Sequence, residues 1–246
     1  MTLTSGNRQS ASSPYWGSEK IINQHPPSGQ SKAPCTSGFM VRENASQLMM
    51  ATAAHCSPPV PPQTTWWLSG SNAFVGSNVF DEWPNEDVMA LGTGAPYEYE
   101  RKIWTGPNLS KWVTERWPAI NFNNRGTKNA CHLGYRQGAA KCSNWVTGPH
   151  TTTVNSTMRG QSTFWLCRAH SCTTTMGLPG DSGAGVYVSR SSTSVAIVGL
   201  LNSVGSKSQS VPACTLLRWF SFTPLGQVES SMGVIAETSL QAGSTW

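Results

Sequence analysis

His55 stands in the run Thr52-Ala53-Ala54-His55-Cys56, and Ser182 in Gly180-Asp181-Ser182-Gly183. A serine hydroxyl becomes a nucleophile at neutral pH only when a neighbouring imidazole can take its proton and an acid holds that imidazole in the right tautomer. The two alanines let the backbone beneath His55 pack closely, and Cys56 can tie the segment down through a disulfide. Around Ser182, glycines permit a tight turn whose backbone N–H groups point at a developing oxyanion. The chain holds three aspartates, Asp81, Asp87 and Asp181. Asp181 belongs to the serine motif itself, and Asp81 lies in a polar stretch beside Glu82. Asp87 precedes the apolar run Val88-Met89-Ala90-Leu91, which would bury its carboxylate beside the histidine. The residues therefore predict His55, Asp87 and Ser182 as a hydrolytic triad. The competing serine-hydrolase arrangement, an α/β-hydrolase, needs Gly two residues beyond the nucleophile and the order Ser, Asp, His. Here position 184 is Ala184 and the order is reversed.

The elements that must hold these residues are strands. Short runs rich in β-branched and aromatic residues, bounded by Gly, Pro, Asn or Ser, recur at 38–41, 48–51, 64–68, 88–91, 163–167, 185–188 and 195–201. The stretch from Ser57 to Gln63 contains Pro58, Pro59, Pro61 and Pro62 and must be a loop, because proline lacks the ladder donor. Asn121 to Thr127 is dense in Asn, Gly and basic residues and marks the expected junction between two halves. Pro224 to Met232 reads as a helix, with Leu225 and Val228 spaced for one face. Residues 1–14 are polar and are expected to be poorly ordered.

Composition narrows the functional classes. Charged residues make up 12% of the chain, against about a quarter in ordinary domains, which suits many strands and turns better than long amphipathic helices. The net charge of +5 comes from scattered Lys and Arg, so neither a nucleic-acid partner nor a membrane surface is expected. The longest apolar run, Val195 to Leu201, is far too short for a membrane helix, and Met1 to Pro14 contains no apolar segment that would serve as a secretory signal. Seven cysteines without a Cys-x-x-Cys pair predict an oxidising compartment, no metal site and one unpaired thiol.

These motifs resemble the chymotrypsin-like serine proteases, and within them the secreted bacterial branch of streptogrisins and α-lytic protease. The resemblance runs from about Pro14 to Val234. It rests on Cys35-Thr36-Ser37-Gly38-Phe39 leading to the His55 motif, on Asp87-Val88-Met89-Ala90-Leu91, on the Ser182 motif, and on Phe222-Thr223-Pro224-Leu225. It implies an all-β fold of two antiparallel Greek-key β-barrels with the active site in the cleft between them and a short C-terminal helix. The N-terminal barrel (15–120) would carry His55 and Asp87, and the C-terminal barrel (121–246) Ser182 and the substrate pocket. A monomeric, exported endopeptidase acting on proteins or peptides without a cofactor is the function so implied.

The resemblance also assigns finer roles. The N–H groups of Gly180 and Ser182 would form the oxyanion hole. Cys35 would pair with Cys56, Cys131 with Cys142, and Cys172 with Cys214, leaving Cys167 as a buried apolar thiol. Ser203, Val204 and Gly205 would wall the primary pocket, Ser203 would also hydrogen-bond Asp87, and Gly205 would leave the pocket open to sizeable side chains. No Asp or Glu lies between Cys172 and Gly180, and position 202 is Asn202 where glutamate-selective relatives are expected to carry histidine. By elimination, an apolar or aromatic residue is expected before the scissile bond. Three departures stand out. The stretch from Cys172 to Ser182, with Thr173 to Met176 inside it, is longer than is usual in bacterial relatives, and Ala184-Gly185 replaces the usual Gly-Pro pair. The position after Cys131 holds His132 where those relatives have an arginine that neutralises the residue matching Asp181, so His132, Arg136 and Arg168 are the candidate cations. A catalytically weak binding module on the same scaffold is the alternative, to which eleven tryptophans lend some appeal.

Overall fold

The computed structural model describes residues 15–23, 34–43, 47–58, 64–69, 71, 73–92, 99–118, 129–156, 159–211 and 214–239. The N-terminal segment 1–14, the prolines at 59, 61 and 62, and the expected junction at 121–127 lie outside them. In chain order the strands are β1 (Tyr15–Gly17), β2 (Lys20–Asn23), β3 (Pro34–Thr36), β4 (Met40–Glu43), β5 (Gln47–Thr52), β6 (Thr65–Leu68), β7 (Phe74–Asp81), β8 (Met89–Gly92), β9 (Tyr99–Gly106) and β10 (Leu109–Arg116). They continue as β11 (Ala130–His132), β12 (Lys141–Ser143), β13 (Trp145–Ser156), β14 (Gly160–Ser171), β15 (Gly185–Ser189), β16 (Ser194–Val211), β17 (Cys214–Pro224) and β18 (Ile235–Ala236). A 3-10 turn covers Ala54–Cys56, and α1 spans Leu225–Met232.

Each strand expected from the sequence is present, and so is the helix. Pro224 precedes the first turn of α1 in extended conformation, and Gly233, at φ 66°, ends it in the left-handed region where glycine is unstrained. Leu225, Val228 and Met232 turn the buried face inward.

The strands form two sheets. One has the order β18-β4-β5-β8-β7-β6-β2-β3, all antiparallel. The other follows β1-β9-β10-β16-β15-β11-β12, with β17 on β16, β14 on β17 and β13 on β14. Two of its pairings are parallel, β1 with β9 and β10 with β16. β9 and β10 thus precede residue 121 in sequence yet lie in the same sheet as β11 to β17.

Period-two alternation explains the cores. Along β5, Met49 and Ala51 face a core shared with α1, while Met50 faces a second core around Trp66; Ala90 and Leu91 of β8 divide in the same way. A strand buried on both faces reads as a continuous apolar run, which is the character of 88–91. In β16 the register against β15 slips by one residue between Val186 and Tyr187. The bulge lets Ile197 and Leu200, three residues apart, serve one core while Val198 serves the other.

Candidate active site

The first sheet delivers His55 and Asp87. β5 ends at Thr52, and the next three-residue turn carries His55, tied to β3 by the Cys35–Cys56 disulfide with a Cα–Cα distance of 6.2 Å. Asp87 sits two residues before β8 and is fully buried. Its Oδ1 accepts the His55 backbone N–H at 2.8 Å, and its Oδ2 lies 2.7 Å from His55 Nδ1. A carboxylate at that distance fixes the proton on Nδ1 and leaves Nε2 as the ring's acceptor.

The third donor to Asp87 corrects the expectation placed on Ser203. It is Asn202 whose Nδ2 donates to both Asp87 Oδ2 and the Asp87 carbonyl, each at 2.9 Å. Its Oδ1 accepts from Thr223 N at 2.7 Å and Thr223 Oγ1 at 3.0 Å. The reason is register. β16 pairs Leu201 with Phe222 and Ser203 with Ser221, so Asn202 is the extra residue of a bulge and its amide is aimed out of the ladder.

Ser182 lies in the loop just before β15, between glycines at positive φ, Gly180 at 97° and Gly183 at 90°. A Cβ on Gly183 would sit 2.2 Å from Thr52 Oγ1 and 2.3 Å from the Thr36 carbonyl oxygen, so space and φ both demand glycine. Thr36, at the end of β3, clamps this loop from the other sheet. Its N–H donates to the Ser182 carbonyl at 2.8 Å and its Oγ1 to the Gly180 carbonyl at 2.9 Å. The N–H groups of Asp181, Gly183 and Ala184 are engaged by the carbonyls of Leu178, Leu201 and Asp181. Those of Gly180 and Ser182 carry no such bond among the described residues. Ser182 Oγ donates to the Asn202 carbonyl at 3.2 Å, so the hydroxyl rests on the bulge rather than on the imidazole, although His55 and Ser182 line one cleft of about 370 Å³.

No cation balances Asp181 among the described residues. The fully buried carboxylate accepts from Gln137 Nε2 at 2.5 Å, Leu178 N at 2.7 Å and Arg136 N at 3.4 Å. Neutral donors thus replace the ion pair that the sequence led us to expect. Gly134 makes this possible, since a Cβ there would fall 2.0 Å from the Asp181 carboxyl. The Arg136 guanidinium donates instead to the Pro179 carbonyl, and Arg168 to Thr152 and Ser221. His132 has its Nε2 2.7 Å from the Met176 carbonyl, and burial pushes its pKa down, so the ring is a neutral donor to the strand-preceding segment 173–176.

A long hairpin of the second sheet, β13–β14, reaches across to the histidine turn. Ser156 Oγ donates to the His55 carbonyl at 2.9 Å. Arg159 donates to the Ser57 carbonyl at 2.6 Å, to the Pro58 carbonyl at 2.9 Å and to both oxygens of Asp81. Sequence reasoning missed Thr36, Gln137, Ser156 and Arg159. The one visible signal was Thr36, which stands inside the Cys35-Thr36-Ser37-Gly38-Phe39 string.

Ser203 and Val204 line the cleft that holds His55 and Ser182. Val204 and Gly205 also line an adjoining cavity of about 200 Å³ with Met176, Gly177, Arg218 and Trp219. The Trp219 indole lies over Gly205, 2.5 Å from where a Cβ would be, and Val204 Cγ1 lies 2.2 Å from where a Cβ on Gly177 would be. The three disulfides join Cys35–Cys56, Cys131–Cys142 and Cys172–Cys214, the pairs implied by resemblance. Cys167 is free and buried, and burial pushes its thiol up to about 12. The Cys35 and Cys56 sulfurs lie near His55, but bonded to each other they have no thiolate to offer a metal.

Two strand-rich sheets, a C-terminal helix and a histidine turn facing a glycine-flanked serine define the chymotrypsin-like two-barrel fold. Solved structures of bacterial serine proteases share it. Thermobifida fusca Protease A matches with a TM-score of 0.60 at 20% identity, over 91% of this chain and 98% of that one. Cellulomonas bogoriensis chymotrypsin matches with a TM-score of 0.61 at 19% identity, over 91% and 98%. A glutamic acid specific serine protease, described as using a histidine triad in substrate binding, matches with a TM-score of 0.62 at 18% identity, over 91% and 100%. Neither the protein-family models nor the curated protein sequences compared with the chain match it.

Proposed function

We propose that the chain is a serine endopeptidase with Ser182 as nucleophile, His55 as general base and then acid, and Asp87 as the group that holds the imidazole. The observation that carries this reading is the buried His55–Asp87–Asn202 network opening onto the same cleft as Ser182. Ser182 turns from the Asn202 carbonyl toward His55 Nε2, gives up its proton there, and its Oγ bonds to the scissile carbonyl carbon. The resulting oxyanion takes hydrogen bonds from the N–H groups of Gly180 and Ser182. His55 passes the proton to the leaving amine as the C–N bond breaks, leaving an ester on Ser182. Water, deprotonated by His55, then bonds to the ester carbon; as the C–Oγ bond breaks the acid leaves and His55 returns the proton to Ser182 Oγ. The neighbours of this fold being proteases supports the reaction class, and three disulfides support an exported protein. Met176, Val204 and Trp219 give the adjoining cavity apolar walls, which supports an apolar or aromatic residue before the scissile bond, limited in girth by Val204 against Gly177.

The Ser182–Asn202 hydrogen bond also favours a second reading, a binding module whose serine is idle. A fluorophosphonate probe separates the two. We expect it to add one phosphonyl group to the folded parent, by intact mass, and none to Ser182→Ala; a folded parent that stays unlabelled establishes the binder.

A further inference from the structure

Among the described residues, the cleft that contains His55 and Ser182 has one other ionisable group in its lining, Arg168, and no carboxylate. Arg168 stands on β14, and its guanidinium is half-buried. Its partners are neutral hydroxyls, Thr152 Oγ1 at 3.0 Å and Ser221 Oγ at 3.3 Å, and it lies over the Trp219 ring with its central carbon 4.9 Å from the centroid. Among the described residues it forms no ion pair. That is an unusual state for a guanidinium half out of water, because a partly desolvated cation gains most from a carboxylate presented to its planar fork. The nearby imidazoles do not share the charge. Burial, with the Arg168 charge second, holds His170 down at about 4, and burial likewise lowers His150. Stacking on Trp219 and two hydroxyl bonds fix the fork in one orientation, so little side-chain freedom remains to be lost when an anion docks.

We infer that Arg168 is a specificity-determining residue that binds an acidic side chain, Asp or Glu, in the substrate segment before the scissile bond. This rests on the protease reading above, in which substrate lies along Ser203 to Gly205. Ser203 and Val204 line the Arg168 cleft as well, and the two cavities share Val204 and Trp219, so on that reading the guanidinium faces the acyl part of the substrate. The smaller cavity, with Met176 and Val204 in its walls, remains the place for the residue next to the cut bond; the carboxylate belongs to a residue further along.

The test uses paired peptide libraries in which one position at a time, from two to five residues before the cut, is Glu or its isostere Gln. The parent is expected to cleave the Glu member at one position at least about ten-fold faster in kcat/KM, with the ratio falling as ionic strength rises. In Arg168→Gln the ratio should drop to about one, and in Arg168→Lys, which keeps charge without the fork, it should fall between. The same pairs are measured for binding to Ser182→Ala by fluorescence polarisation, so recognition is read whether or not the parent turns over. If the serine fails to label yet Ser182→Ala still binds the Glu peptide tighter in an Arg168-dependent way, the protease reading fails and the acidic-ligand site stands. Equal treatment of Glu and Gln by the parent and by Ser182→Ala overturns the proposal. So does a preference that survives Arg168→Gln and disappears in Arg218→Gln, which would move the site to the smaller cavity.

Discussion

The buried Asp87 carboxylate accepts from the His55 N–H, His55 Nδ1 and Asn202 Nδ2, so its position is fixed from both sheets. Asn202→Ala removes the one donor to Asp87, among the described residues, that does not come from His55. It should lower kcat roughly ten-fold with KM little changed, because a loosened Asp87 no longer fixes the imidazole. Asn202→Asp, which replaces the donor by a carboxyl in like-charge contact with Asp87, should cost at least as much. An unchanged kcat in both variants would show that Asn202 does not act on the pair. At this scale His55, Asp87 and Ser182 were legible because their motifs are local strings. Asn202 was not, because its role depends on a bulge that moves the donor by one position, and a single strand does not reveal the register of its partner. Gln137 was hidden for a related reason: the sequence advertises cations, and here uncharged N–H groups met at Asp181.

The hairpin β13–β14 is the element that turns two sheets into one site. Its tip residues Ser156 and Arg159 bind the carbonyls of His55, Ser57 and Pro58, the segment that leaves the histidine turn. The Arg159 side chain is nearly buried there, and its bonds to two carbonyls and Asp81 satisfy groups that would otherwise be shielded from water without partners. Arg159→Ala is expected to cost about 1–3 kcal/mol of stability, read as a lower denaturant midpoint. It should also lower kcat more than it raises KM, by roughly ten-fold, because a misplaced imidazole affects the chemical step. Asp81→Asn, which weakens the ion pair and leaves the carbonyl bonds, should cost much less on both counts. Equal losses in the two variants would assign the effect to the ion pair instead. Seven strands were legible from β-branched runs; β13 was not, because its Thr-rich, half-exposed sequence reads as loop until its pairing with β14 is seen.

At the scale of the whole molecule, parallel pairing of β10 with β16 joins segments some eighty residues apart, a contact that no local pattern encodes. The cross-sheet bonds of Thr36 and of the hairpin belong to the same class, so the cleft holds only while both sheets keep their places. That mutual dependence gives the fold a vulnerable side in mild acid. His132, His150 and His170 all have folded pKa values below the ordinary histidine value, in each case chiefly from burial. Above pH about 6.5 both the folded and the unfolded chain hold these rings neutral, and they contribute nothing to pH dependence. Below it the unfolded chain binds protons that the folded chain refuses, so stability falls with pH until the folded values are reached, which for His170 is about 4. Glu86, pushed up by burial, takes its proton more readily when folded and opposes the trend only in the carboxylate range. Tm should therefore start to drop between pH 6.5 and 5, before ordinary carboxylates titrate. His132 feels this most directly: protonated, it would bring a charge into a site where its Nδ1 has no partner among the described residues, and would disturb the Met176 carbonyl beside the smaller cavity. His170→Gln should flatten the acid limb of Tm against pH while leaving the plateau above pH 7 nearly unchanged. A limb that begins only below pH 5 in the parent would show that these rings accept protons freely in the folded state.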